Sequence, residues 1–122
     1  MEFSQELVRG SIVPIILSLL KERARYGYEM VKLVNARSNK ALEWKEGTLY
    51  PALHRLEADG FIESYWQDAP GKDEGADEGG GGGGGRQRKY YALTHKGRRE
   101  LTRRVSEWQD FTSSVNAILR GC

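Results

Sequence analysis

Thr48, Tyr50, His54 and Arg55 fall within eight consecutive residues and carry hydroxyl, phenol, imidazole and guanidinium groups. Together they can donate to and accept from a polar surface, but they are not a catalytic set. The chain has 2 histidines, His54 and His95, far apart in sequence, and its 1 cysteine is Cys122. They yield no zinc-ligand spacing and no nucleophile–base pair. Five carboxylates cluster between residues 68 and 85, in a low-complexity stretch with no fixed geometry for acid–base work. An enzyme, a metal centre and a bound cofactor are therefore not expected. The chemistry on offer is recognition.

The element that must position these groups is a helix over residues 47–59, stopped by Gly60. Leu49, Leu53 and Leu56 lie four and three residues apart, so they share one face and anchor it on a core. Gly47, Pro51, His54 and Ala58 then point away, flanked by Thr48, Tyr50 and Arg55. A short polar face of this kind suits a major groove, where such groups meet base edges or phosphates. Pro51 is expected in the first turn or so, where a proline need not kink the helix. Any amphipathic helix has a polar outer face, so the pattern gains meaning only from its neighbours. Tyr50 has a second reading, in which its ring packs and only its hydroxyl is offered.

Two helices precede it. One starts near Ser11, a candidate cap that leaves Pro14 in the first turn, and runs to about Arg23. The other spans residues 28–36, after a turn at 25–28 (RYGY), and ends at Ser38 and Asn39. After Gly60 the pattern changes, and residues 61–66 (FIESYW) read as a strand. Residues 86–93 read as its antiparallel partner, with Tyr90 and Tyr91 on opposite faces. Arg86, Arg88 and Lys89 lie on the return strand, where cations can reach a phosphate backbone beside a groove. Thr94 can cap a last helix running to about Arg120. The expected fold class is mainly α with a small β-hairpin: a winged helix-turn-helix plus a long C-terminal helix.

Bulk properties agree. The length of 122 residues suits one domain, and 39% hydrophobic with 30% charged residues describes an ordinary soluble chain. The net charge is only +2, but residues 68–85 hold Asp68, Asp73, Glu74, Asp77 and Glu78 against Lys72. The rest of the chain is correspondingly basic and favours a polyanionic partner. One cysteine cannot form an intrachain disulfide, so no oxidising compartment is required. The opening MEFSQE is acidic where a secretory signal would be basic. Residues 12–20 are too short an apolar run to span a bilayer. A cytoplasmic location without membrane contact is expected.

Residues 26–30 (YGYEM), 46–57 (EGTLYPALHRLE), Gly60-Phe61-Ile62 and 88–97 (RKYYALTHKG) closely resemble the PadR-like family of winged-helix transcriptional regulators. The likeness covers nearly the whole chain outside the 68–85 insert. It implies a homodimeric repressor whose third helix enters the major groove of an inverted-repeat operator, with wings touching the flanking backbone. Carried onto this chain, the implied DNA contacts are Tyr28, Thr48, Tyr50, Pro51, His54 and Arg55, with Arg86, Arg88 and Lys89 in the wing. The insert departs from the family, whose wings are shorter and less acidic. Its carboxylates would repel phosphates, and the glycine tract 79–85 lacks the lysine and hydroxyl of a phosphate-binding loop. A disordered tip that discourages non-specific DNA binding is the expectation.

In the last helix Leu101, Val105, Trp108, Thr112, Val115 and Leu119 repeat with a period of 3.5, the seam of a coiled coil. Phe111 and Ile118 widen the stripe. A helix from Thr94 to residue 120 would run roughly 40 Å, longer than one small domain needs. A second copy of the chain is the expected cover, alongside packing on the first helix, and a two-fold protein suits a two-fold site. The expected division is a DNA-binding domain over residues 1–93 and a dimerisation helix over 94–122. Ligands of relatives, such as phenolic acids or planar drugs, act by shifting the dimer arrangement. By that resemblance Trp108 and Phe111 line a site for a small aromatic effector, though an aromatic at a seam can equally be packing. The rival function is a winged-helix module for protein contacts alone. The gathering of Arg55, Arg86, Arg88 and Lys89 around one helix argues against it.

Overall fold

The computed structural model describes residues 3–69 and 87–121. The elements in chain order are α1 (Gln5–Arg9), α2 (Ile12–Glu22), β1 (Arg25–Tyr26), α3 (Gly27–Arg37), α4 (Glu46–Ala58), β2 (Ile62–Asp68), β3 (Gln87–Leu93) and α5 (His95–Arg120). The fold is mainly helical with a small antiparallel sheet in the order β1-β3-β2. Arg86 and residues 70–85 of the insert lie outside the described residues, and so do the expectations placed on them.

The core is built where the apolar spacing placed it. Buried Ile16, Leu17, Leu19 and Leu20 from α2 meet Met30, Val31 and Val34 from α3. Leu49, Ala52, Leu53 and Leu56 close it from α4, and Ile62, Tyr91 and Leu101 seal the sheet and α5 onto the same cluster. Tyr91 is buried, whereas Tyr90 on the opposite face is half-buried and stacks on Tyr65 with centroids 5.9 Å apart. Strand alternation therefore sorts the two tyrosines as expected. Thr94 caps α5, its hydroxyl accepting from the Gly97 amide at 3.0 Å.

Three features differ from the sequence reading. The helix α1 is an addition, five residues long and capped by the Ser4 side chain, too short to show a periodicity. Ser11 stands before α2, but its hydroxyl donates to the Val8 carbonyl at 2.7 Å instead of capping. That bond ties α1 to α2. Residues 25 and 26 are a short strand rather than a turn, with Arg25 opposite Tyr91 and Tyr26 opposite Tyr90. Two residues carry no readable alternation.

Arg25 explains why the chain enters α3 as a strand. Its buried guanidinium donates to the Leu19 carbonyl at 3.1 Å and to Glu29 at 2.9 Å, and it also pairs with Glu22. Glu22 in turn accepts from Arg37, and Glu29 from Arg23. The Arg37 hydrogen bonds, with those of Arg25, hold the Glu22 carboxyl below its ordinary range. One arginine thus joins the end of α2, β1 and the start of α3. A buried guanidinium must be paired, and Glu22, Glu29 and the Leu19 carbonyl together meet that need.

Candidate nucleic-acid interface

Helix α4 presents the face that its leucine spacing requires. Leu49, Ala52, Leu53 and Leu56 are buried, while Gly47, Pro51, His54, Arg55 and Ala58 are exposed and Thr48 is half-buried beside them. The helix begins at Glu46, so Pro51 lies in its second turn, one turn later than expected. A proline there clashes with the carbonyl four residues back and cannot bond to it. Here that residue is Gly47, which is open to solvent, so the turn tolerates the ring.

Two contacts fix the helix in place. Asn35 on α3 donates to the Trp44 carbonyl at 2.9 Å and accepts from the Trp44 amide at 2.7 Å. The α3–α4 link is thereby clamped one residue before Lys45, which precedes α4. Within this link Asn39, Lys40 and Glu43 adopt positive φ angles, a conformation that the clamp and the buried Trp44 hold. The second contact is Tyr50 against Gly27. A Cβ on Gly27 would come within 2.3 Å of the Tyr50 hydroxyl oxygen. The Tyr50 ring and its hydroxyl are thus packed on the start of α3, and a side chain at residue 27 would have to displace them. Asn35 and Gly27 are positioning residues that no motif announced. Gly27 stood inside YGYEM, but its role depends on a contact 23 positions away.

The outward charge of α4 is not neutralised within the fold. Glu57, on the same helix, accepts from Ser64 at 2.6 Å and is turned toward β2. Among the described residues Arg55 has no ion-pair partner, whereas Arg23, Arg25, Arg37, Arg103 and Arg104 are each matched to a carboxylate. Tyr28, in the first turn of α3, is half-buried with the Lys32 ammonium 5.6 Å from its ring centroid.

The wing differs from expectation in one respect. Arg88 is only 7% exposed, and its guanidinium lies 4.0 Å from the Tyr26 ring centroid. It departs from the outward, phosphate-reaching position expected of it. The cause is alternation: Arg88 pairs with Gln67 on the face that carries Tyr65 and Tyr90, next to Tyr26 on β1. The unforeseen strand β1 supplies the ring that draws it in. Lys89 is half-buried, 5.8 Å from the Tyr91 ring centroid and opposite Trp66.

Along α5 the expected seam divides. Leu101 is 5% exposed and belongs to the core, and Val115 is half-buried. Val105, Trp108, Phe111, Ile118 and Leu119 are exposed, with Phe111 at 60%. Trp108 and Phe111 border a hollow of about 180 Å³ shared with Gly10, Pro14, Arg104 and Glu107.

A tri-helical core, an outward third helix and an antiparallel hairpin beside it define a winged helix-turn-helix protein. Residues 16–103 match the model of the transcriptional regulator PadR-like family, and the chain belongs to that family. Its members are transcriptional regulators rather than enzymes. An uncharacterised protein of Lysinibacillus sphaericus is 34% identical over 95% of this chain and 94% of its own length. A transcriptional regulator from Clostridium thermocellum superposes with a TM-score of 0.74 at 32% identity, covering 94% of this chain and 96% of that one. A PadR-like transcriptional regulator from Bacillus cereus gives 0.75 at 25% identity, covering 97% and 100%. No helix among the described residues is long and apolar enough to cross a membrane.

Proposed function

We propose that the chain is a homodimeric repressor that reads an inverted-repeat operator in double-stranded DNA through α4. The observation that carries this reading is the outward set of Pro51, His54 and Arg55 on a helix whose opposite face is buried. Thr48 flanks the set, and Arg55 has no carboxylate partner among the described residues. Lys89 contributes from the wing, with Arg86 beside it in sequence. The exposed aromatic and aliphatic stripe of α5 fits a second copy of the chain, which would bring two copies of α4 to one duplex. Residues 1–93 then form the reading unit and residues 94–122 the dimerisation helix.

Fluorescence anisotropy with the DNA upstream of its own gene, against scrambled DNA at two salt concentrations, tests the proposal. Binding that depends on sequence and weakens steeply with salt supports it, because neutralised phosphates release counterions. Binding to protein partners alone, insensitive to salt, would return the module to protein contacts. A specific observation favours a further element, release by a small aromatic effector: the hollow beside Trp108 and Phe111 adjoins the proposed dimer stripe. Quenching of the tryptophan fluorescence by planar aromatic compounds, lost in Trp108→Phe, checks it.

A further inference from the structure

A larger cleft lies on the opposite side of α2, where α1, the α3–α4 link and the outer face of α4 meet. Its volume is about 550 Å³, within the range that ligand sites occupy. The half-buried Val8, Ile12, Val13 and Leu42 and the buried Ala52 form an apolar floor. Exposed Arg9, Lys45 and Arg55 form the rim, and Glu43 is the one carboxylate among the described residues lining it. None of these three cations has an ion-pair partner among the described residues. The first turn of α4 also opens here without a side-chain cap, so its backbone N–H groups add to the positive end. The site is amphipathic: an apolar floor beside three cations without an ion-pair partner among the described residues.

We propose that this cleft binds a medium-chain alkyl carboxylate, with the tail on the floor and the carboxylate among Arg9, Lys45 and Arg55. A nucleic-acid phosphate satisfies the cations but has nothing to place against Val13 and Leu42. An alkyl carboxylate satisfies both. Gly47, Thr48, Pro51 and Arg55 line the cleft and also belong to the DNA-reading face, so the ligand and DNA exclude each other. This second consequence rests on the proposed reading of α4, whereas the binding itself does not.

The test is titration of octanoate into the full chain without DNA, followed by calorimetry and by methyl NMR of Val13 and Leu42. Acetate and 1-octanol serve as the charge-only and tail-only probes. Saturable octanoate binding that shifts both methyl sets is expected, with each control about tenfold weaker or worse. Arg9→Gln, on an exposed position outside α4, is expected to weaken octanoate about tenfold through loss of one charge-assisted contact. Val13→Trp, checked for native circular dichroism, fills the floor and abolishes binding. Acetate binding as tightly as octanoate, unchanged affinity in Arg9→Gln, or octanoate binding that leaves the Val13 and Leu42 methyl shifts unchanged would overturn the site. In a second arm, octanoate should raise the apparent Kd for operator DNA in the unmodified chain but not in Val13→Trp. Octanoate bound with DNA affinity unchanged would overturn the exclusion. Saturable octanoate binding in a chain that binds no DNA would instead overturn the reading of α4, leaving the site intact.

Discussion

Arg55 and Asn35 act at the same helix in different ways, and substitution separates them. Arg55 is exposed and without an ion-pair partner among the described residues, so Arg55→Ala removes charge and hydrogen bonds without opening the core. Its expected cost is about 1–3 kcal/mol of specific DNA affinity, roughly tenfold or more, with unfolding unchanged. Operator titration beside urea denaturation of the same sample checks both halves. Asn35→Ala removes the two bonds that clamp Trp44 and leaves backbone groups unsatisfied. A stability loss of about 1–3 kcal/mol is expected, read from the urea midpoint at constant slope. At this scale the outward residues of α4 were legible, because helical spacing alone decides which side chains leave the core. Arg88 was not. Its direction depends on Tyr26, which became a neighbour only through a two-residue strand that no pattern marks.

At the scale of elements, the joint between the wing and α5 is the most constrained. Gly97 sits in the first turn of α5, and a Cβ there would lie 2.0 Å from the Phe61 carbonyl oxygen and 2.8 Å from Leu93 Cδ1. The first of these atoms is backbone and cannot swing aside. Gly97→Ala is therefore expected to cost more than the roughly 1–3 kcal/mol of ordinary overpacking, seen as a lowered Tm. Further along the helix Glu100 accepts from Arg103 at 2.7 Å and Arg104 at 2.6 Å. The Arg103 bond chiefly, then Arg104, lowers the carboxyl from 4.5 to about 2 against an opposing effect of burial. A depressed carboxylate stabilises the folded state above its unfolded value and loses that contribution as protons bind. The loss is expected between pH 4.5 and about 2. Unfolding of Glu100→Gln followed by circular dichroism across that window should show a shallower fall than the unmodified chain. The long elements were readable because α2, α3 and α4 bury periodic apolar faces, α5 repeats its apolar residues over many turns, and the strands are rich in β-branched and aromatic residues. The short α1 and β1 were not: five and two residues carry no readable period, and β1 is a strand only through its pairing with β3.

For the whole molecule, the question is what covers α5. Trp108, Phe111 and Leu119 are exposed over a helix that leaves the core after Leu101. Isolated apolar residues on a surface are ordinary, but a stripe repeating every 3.5 residues is the pattern of a paired helix. Phe111→Glu with Leu119→Glu is expected to halve the mass in sedimentation equilibrium and to leave the winged-helix core folded. Loss of the dimer should also weaken operator binding much more than binding to a single half-site. A mass unchanged by both substitutions would mean that α5 does not join two copies. Whether α4 reads DNA sequence is decided by one titration. Anisotropy of the operator and scrambled duplexes is followed with the unmodified chain and with Arg55→Ala, at low and high salt. Tight, salt-sensitive binding to the operator, weak binding to the scrambled duplex, and collapse of that difference in Arg55→Ala are expected. Equal, weak binding of both duplexes by both proteins would contradict that reading of α4.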